Sequence, residues 1–78
     1  MKITYDPEVD ALYIQLRDSV QIVEGVDVEE GVVADLDCDG HIIGFEVLDA
    51  SDRLTPEELS TLSYENLVSE KTAAVKLP

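Results

Sequence analysis

Residues 32–48 read VVADLDCDGHIIGFEVL, with two runs of alternating apolar and polar residues on either side of a turn. The apolar positions of the two runs are Val32, Ala34, Leu36, Ile43, Phe45 and Val47. A period of two is typical of β-strands with one buried face. Gly40 in the connecting DCDG suits a backbone position with positive φ. The stretch therefore predicts a β-hairpin in which Asp35 and Asp37 point outward.

The same hairpin matches a calcium-loop pattern, D-x-D-x-D-G-x5-E, and its carboxylates are Asp35, Asp37, Asp39 and Glu46. Alternate carboxylates can converge on a hard cation, and a terminal Glu can bind it through both oxygens. Such a loop needs a helix before it and another after it, whereas both flanks here have strand periodicity. We therefore favour no metal site and expect turn caps and a polar outer face. Ca²⁺ or Mg²⁺ binding by these four residues stays as an alternative.

Three further strands are predicted before this hairpin. Residues 2–6 and 11–17 alternate in the same way and flank the turn sequence DPEVD, so they form a first hairpin. Residues 20–28 carry valine and isoleucine at even spacing, with Gly25 as a candidate bulge. The predicted fold is α+β and mostly β, an antiparallel meander of about five short strands followed by a short helix.

The helix start is well marked. Thr55 is a candidate N-cap, Pro56 occupies the first helical position, and Glu58 completes a capping box. Leu54 and Leu59 stand at hydrophobic-staple positions on either side of the cap. We therefore expect one domain over residues 1–68 with a helix near 55–62. Residues 69–78 are predicted to be a flexible tail.

Charge dominates the composition. The 78 residues contain 18 Asp and Glu against 5 Lys and Arg, a net charge of −13. This charge disfavours direct binding to nucleic acid or to anionic membranes and favours basic protein surfaces. Cys38 is the single cysteine, which excludes an internal disulfide. The chain shows neither an apolar signal core nor a membrane-spanning run, so we expect a cytoplasmic protein.

The residues offer little support for catalysis. Cys38 and His41 could meet across the turn, but the surrounding carboxylates oppose a reactive thiolate. Asp6, Glu8 and Asp10 could form a metal clip or an acid–base pair, and the Pro7 turn favours a solvated turn instead. We therefore expect no enzyme, no catalytic residue and no cofactor.

Two motifs carry a resemblance. Residues 5–16 read YDPEVDALYIQL, and the DxDxDG turn is followed by IxGxExLxAS at residues 42–51. With these motifs the chain resembles, over about residues 1–54, a family of short bacterial and archaeal proteins classed as a domain of unknown function. The resemblance implies no established enzymatic activity. It also implies an antitoxin-type role, because some members look like partners encoded beside small basic toxin-like proteins.

Acidity and open strand edges together favour an interaction protein. We expect a homodimer, or a complex with a small basic protein that the chain neutralises in the manner of an antitoxin. One alternative is the Ca²⁺- or Mg²⁺-binding module, and another is a self-associating structural domain.

Overall fold

The computed structural model describes residues 1–68 and the backbone of residues 71–75. The first five strands are β1 (Lys2–Asp6), β2 (Ala11–Gln15), β3 (Glu24–Glu29), β4 (Val32–Leu36) and β5 (Ile42–Leu48). They form one sheet in the order β1-β2-β5-β4-β3, and every neighbouring pair is antiparallel. The predicted antiparallel sheet of five short strands is confirmed.

The strand order combines a hairpin with a three-stranded meander. Strands β3, β4 and β5 follow one another as neighbours, whereas β2 lies beside β5. The chain between β2 and β3 therefore crosses one end of the sheet, where Leu16 N donates to Ile43 O at 2.8 Å and Val23 N donates to Leu36 O at 2.9 Å. Because this crossing uses residues 16–23, β3 begins at Glu24 rather than at residue 20.

The bulge of β3 is also displaced from its predicted position. The register shifts between Asp27 and Glu29, whereas Gly25 pairs regularly with Asp35. Gly25 has a different role, because a Cβ at this position would meet Val33 Cγ1 at 3.1 Å and Asp35 Oδ1 at 3.4 Å. The glycine therefore leaves room for the side chains of the neighbouring strand.

Two short helices follow the sheet, α1 (Ala50–Arg53) and α2 (Pro56–Ser60). The predicted capping box of α2 is confirmed, because Glu58 N donates to Thr55 Oγ1 at 3.2 Å and Thr55 N donates to Glu58 Oε1 at 2.8 Å. Helix α2 ends at Ser60, two residues before the predicted limit, and α1 was not predicted at all.

A second sheet follows α2 and was also not predicted. It consists of β6 (Leu62–Asn66) and β7 (Lys71–Val75), which pair antiparallel. Strand β7 falls inside the segment predicted to be a flexible tail. Residues 69, 70 and 76–78 of that segment lie outside the described residues, so the tail remains a prediction.

The register of the five-stranded sheet separates two faces. Ile3, Ile14, Phe45, Ala34 and Val26 form one row across all five strands. We call this side the apolar face, and alternation adds Tyr5, Leu12, Leu16, Val32, Leu36, Ile43 and Val47 to it. The opposite side, the polar face, carries the row Thr4, Tyr13, Glu46, Val33 and Asp27.

The apolar face is only partly covered. Among the described residues the buried apolar ones are Ala34, Ile43 and Ala50, with 4%, 2% and 0% of their surface exposed. Leu16 and Val26 on the same face remain 40% and 42% exposed. The sheet is therefore open-faced, with a small core of its own.

Candidate interaction surface and carboxylate clusters

The β4–β5 turn is built around Asp37. Its Oδ1 accepts hydrogen bonds from the backbone N–H groups of Asp39 and His41, both at 2.9 Å. Gly40 closes the turn at φ 80°, and its N–H donates to Asp37 O at 3.0 Å. The His41 N–H is the largest influence that lowers the pKa of the Asp37 carboxyl. The predicted turn cap is therefore correct, but Asp37 is buried rather than outward-facing because its carboxylate folds back onto the turn.

The four carboxylates of the calcium pattern do not share one centre. Over the described part of the chain, the ligand atoms that converge belong to Asp37, Asp39 and His41, all within 4.8 Å of one another. Asp39 and His41 are exposed, and Asp37 Oδ2 lies 3.9 Å from His41 Nδ1. Asp35 and Glu46 instead lie on the polar face of the sheet. The hairpin thus divides the pattern into a turn cluster and a sheet pair.

Asp35 is the unexpected member of the sheet pair. It is 2% exposed and is the largest fully buried side chain among the described residues, so the prediction that it points outward into solvent is wrong. Its direct neighbours across both adjacent strands are glycines, Gly44 on β5 and Gly25 on β3. The phenol of Tyr13 lies over Gly44, where a Cβ would clash with its hydroxyl. The absence of a side chain at Gly25 leaves room for the Asp35 carboxylate, and its absence at Gly44 leaves room for Tyr13.

The buried Asp35 contributes to raised pKa values of Glu46 and Tyr13. A hydrogen bond with Asp35 is the first cause that raises the pKa of Glu46, followed by burial. Burial, and then the negative charge of Asp35, raises the pKa of Tyr13. Asp35 Oδ2 is buried and has no hydrogen-bond partner among the described residues. Two adjacent carboxyl groups cannot both ionise cheaply, so Glu46 retains its proton more strongly than an isolated glutamic acid would.

A second carboxylate network joins the first hairpin to α1. Asp10 stands at φ 55° and accepts from Tyr5 Oη at 2.7 Å, from Ser51 N at 3.0 Å and from Ser51 Oγ at 2.6 Å. Ala50 N donates to Asp10 O at 3.0 Å. Hydrogen bonds from Ser51 and then Tyr5 lower the pKa of Asp10. Tyr5 and Asp10 belong to the first sequence motif and Ser51 to the second, so these hydrogen bonds join the β1–β2 hairpin to the segment that follows β5.

Asp6 and Glu8, the other two carboxylates of the turn between β1 and β2, lie apart from Asp10. Asp6 Oδ1 accepts from the Glu8 backbone N–H at 2.9 Å, which is the predicted turn chemistry. Glu8 is exposed, and Asp10 is turned toward Ser51. The three carboxylates therefore serve separate local structures rather than one acid–base or metal centre. Sequence reasoning missed Tyr5 and Ser51 as the partners of Asp10: the Tyr5 contact closes the first hairpin, and the Ser51 contact joins segments 41 residues apart.

Two surfaces of the sheet are open to other molecules. The first is the apolar face, whose margin along β3 includes Glu24, two residues from Val26 on the same side of the strand. The second is the outer edge of β1, beside a groove of about 770 Å³. Leu59, Leu62 and Tyr64 form the wall of this groove opposite β1.

These features define the protein as a small, acidic, open-faced antiparallel β-sheet domain with carboxylate networks at its turns and on its polar face. A family profile matches residues 2–51, which include the whole five-stranded sheet and both networks. The chain belongs to this family, DUF2283, described as a protein of unknown function. The resemblance to a family of unknown function is therefore confirmed. Comparison with curated proteins and with solved structures gave no match.

No helix among the described residues combines the length and the hydrophobicity needed to cross a membrane.

Proposed function

We propose that the protein is an acidic interaction protein that binds a small basic protein through its apolar face and neutralises it. The observation that carries the proposal is the half-exposed apolar face of a single sheet, with Leu16 and Val26 exposed by 40% and 42%. An apolar patch surrounded by polar residues is typical of protein–protein interfaces.

Charge selects the kind of partner. The net charge of −13 steers basic proteins toward this chain and repels acidic ones. Glu24 at the margin of the apolar face offers a local contact for Lys or Arg at the border of such an interface. A basic partner with an apolar centre and a cationic border therefore complements this face in both hydrophobicity and charge. In the cell, such binding would amount to an antitoxin-type role, in which the chain neutralises its partner by binding it and catalyses no reaction.

Capture of the partner with matched surface variants tests the proposal. The tagged full chain would be compared with Leu16→Asn/Val26→Asn on the apolar face and with Val9→Asn/Leu48→Asn, a control pair that is 67% and 43% exposed elsewhere. Circular dichroism would establish that all three chains are folded. We expect the wild type and the control to retain the same small basic protein from the host, with release by salt. We expect the apolar-face variant to lose it.

The captured protein would then be purified and tested directly. Its binding to the wild type should weaken with rising salt, and co-production of the wild type should relieve any growth defect that it causes. Equal retention by the apolar-face variant and the control, or the absence of a salt-sensitive partner, would refute the proposal.

The cation-binding alternative makes a different prediction. If the turn cluster were a Ca²⁺ or Mg²⁺ site, titration should release heat and raise Tm beyond the effect of monovalent salt at equal ionic strength. Asp39→Asn should then abolish this difference, because Asp39 is an exposed member of the cluster with no cap to maintain. The interaction proposal predicts no difference between divalent and matched monovalent salt.

A further inference from the structure

The two edges of the five-stranded sheet differ in their readiness to accept another strand. Strand β3 forms one edge, and it carries Glu24, Asp27 and Glu29 together with a bulge between the last two. Charged side chains and bulges are devices that keep a strand edge unpaired. The β3 edge is therefore protected.

Strand β1 forms the other edge, has no bulge, and carries charges only at its two ends, Lys2 and Asp6, which are of opposite sign. Its register with β2 is regular from Lys2 to Asp6. In the described sheet β1 pairs with β2 alone, so one row of its backbone N–H and C=O groups has no partner strand. The outward N–H and C=O groups of an edge strand are the groups that pair with an added strand. A groove of about 770 Å³, whose lining includes Ile3, Tyr5 and Leu62, also borders β1.

The sequence of β1, KITYD, indicates which strand fits. We propose that β1 pairs antiparallel with β1 of a second copy about a two-fold axis at Thr4, which joins two five-stranded sheets into one. In this register Lys2 of one copy lies opposite Asp6 of the other, Ile3 lies opposite Tyr5, and Thr4 lies opposite Thr4. Opposite-charge, aromatic–β-branched and Thr–Thr pairs are all favourable cross-strand combinations. A self-complementary strand is what a two-fold interface requires.

The same operation at the other edge brings like charges together. An antiparallel pair of β3 strands about its centre would place Glu24 of one copy opposite Glu29 of the other, and like charges directly opposite are destabilising. The contrast between the two edges supports β1 as the dimer strand. Since Ile3 and Tyr5 belong to the apolar face, pairing through β1 would also make the apolar faces of the two copies continuous.

This inference uses a different surface from the proposed function, and salt distinguishes the two. Each copy carries −13, so the copies repel one another outside the β1 contact. Screening by salt should therefore strengthen the dimer, whereas it weakens binding of a basic partner. Analytical ultracentrifugation of the purified full chain should show a shift from 8.6 kDa toward twice that mass as protein and salt concentrations rise.

Charge variants test the register within the same measurement. Lys2→Asp creates a like-charge pair with Asp6 at both symmetry-related positions, so dimerisation should weaken roughly fivefold to tenfold. Asp6→Lys should weaken it through Lys2 in the same way, and it also removes the turn contact to Glu8 N. The double exchange Lys2→Asp/Asp6→Lys restores opposite charges and should recover dimerisation relative to Asp6→Lys.

Cysteine cross-linking gives a second, independent test. Both variants would be made in a Cys38→Ser background, because Cys38 is an exposed free thiol. Directly opposite residues lie about 4.5–5.5 Å apart between Cα atoms, within disulfide range, so Thr4→Cys should form a covalent dimer under mild oxidation. Lys2→Cys is the matched control, because its two copies would be about 13 Å apart and should not cross-link.

A chain that sediments at 8.6 kDa at every protein and salt concentration would overturn the inference. Equal cross-linking of Thr4→Cys and Lys2→Cys would overturn the register. Neither result bears on the basic partner, whose binding is measured with apolar-face variants that leave β1 unchanged.

Discussion

Each face of the sheet contains residues whose burial is the opposite of what their polarity suggests. On the polar face, Asp35 is 2% exposed, whereas Leu16 and Val26 on the apolar face are 40% and 42% exposed. The acid is covered within one layer, because glycines flank it and the longer side chains beside it close over the gap. The apolar row extends across five strands and would need a second layer to cover it. The comparison shows that Asp35 is covered by side chains of the sheet itself, whereas Leu16 and Val26 could be covered only by a second layer.

The largest expected effect compares two isoleucines of the apolar face. Ile43 is 2% exposed, so Ile43→Ala should lower the free energy of unfolding by about 2–5 kcal/mol. Ile14 is half-buried, and Ile14→Ala should cost only about 1–2 kcal/mol in the isolated chain. Urea unfolding of both variants, with Ile43→Val as a milder version, measures the difference. Equal costs for the two alanine variants would mean that Ile14 is already covered and that the apolar face is not open.

The next effect tests the packing of the polar face at Gly44. A Cβ at this position would lie 2.9 Å from Ile14 O and would also clash with Tyr13. Gly44→Ala should therefore destabilise the fold by about 1–3 kcal/mol through overpacking.

Gly40→Ala is the matched control for this substitution. Gly40 has no atom within 4 Å of its missing Cβ and has φ 80°, so alanine there should cost about 1–2 kcal/mol from backbone strain alone. Removal of the phenol hydroxyl by Tyr13→Phe should recover part of the loss in Gly44→Ala but none in Gly40→Ala. Failure of that selective recovery would contradict the placement of Tyr13 over Gly44.

The smallest effect concerns the proton that Glu46 holds beside Asp35. The pKa of Glu46 is raised in the folded chain, so the folded state binds this proton more tightly than the unfolded state does. The resulting stabilisation is present below the ordinary pKa of glutamic acid and is lost as the pH rises through the raised value. Tm of the wild type should therefore fall as the pH rises through this value. The Glu46→Gln variant should lack this part of the fall.

Glu58→Gln is the opposite-sign control for the pH series. Hydrogen bonds from Thr55 lower the pKa of Glu58, so its contribution is present above the ordinary pKa and is lost as the pH falls. An unchanged pH profile of Tm in Glu46→Gln would show that Asp35 does not raise the pKa of Glu46 in the folded chain.

Local patterns in the sequence predicted much of the fold correctly. Alternation predicted the strands, and the capping box predicted the start of α2, because each of these signals lies within a few residues. The helix limit was wrong, since Leu62, which also fits a helical spacing, begins β6. The four-residue helix α1 carries no signal of its own and depends on the contact between Ser51 and Asp10.

The candidate site was predicted less well because its geometry is not local. The calcium pattern placed Asp35, Asp37 and Glu46 in one set, and the hairpin separated Asp37 from the other two. The burial of Asp35 depends on Tyr13, which reaches it only because β2 pairs with β5. No pattern within residues 32–48 indicates that β2 pairs with β5.

The sequence by itself determined the β-hairpins, the capped helix, the acidic surface and the turn around Asp37, since propensity, periodicity and charge act over short separations. Only the tertiary structure decided that β2 lies beside β5, that Asp35 is buried beside Glu46, and that the apolar face remains partly exposed. These three features depend on contacts between residues far apart in the chain. The first of them sets the other two, because the neighbour of each strand determines which side chains can cover it.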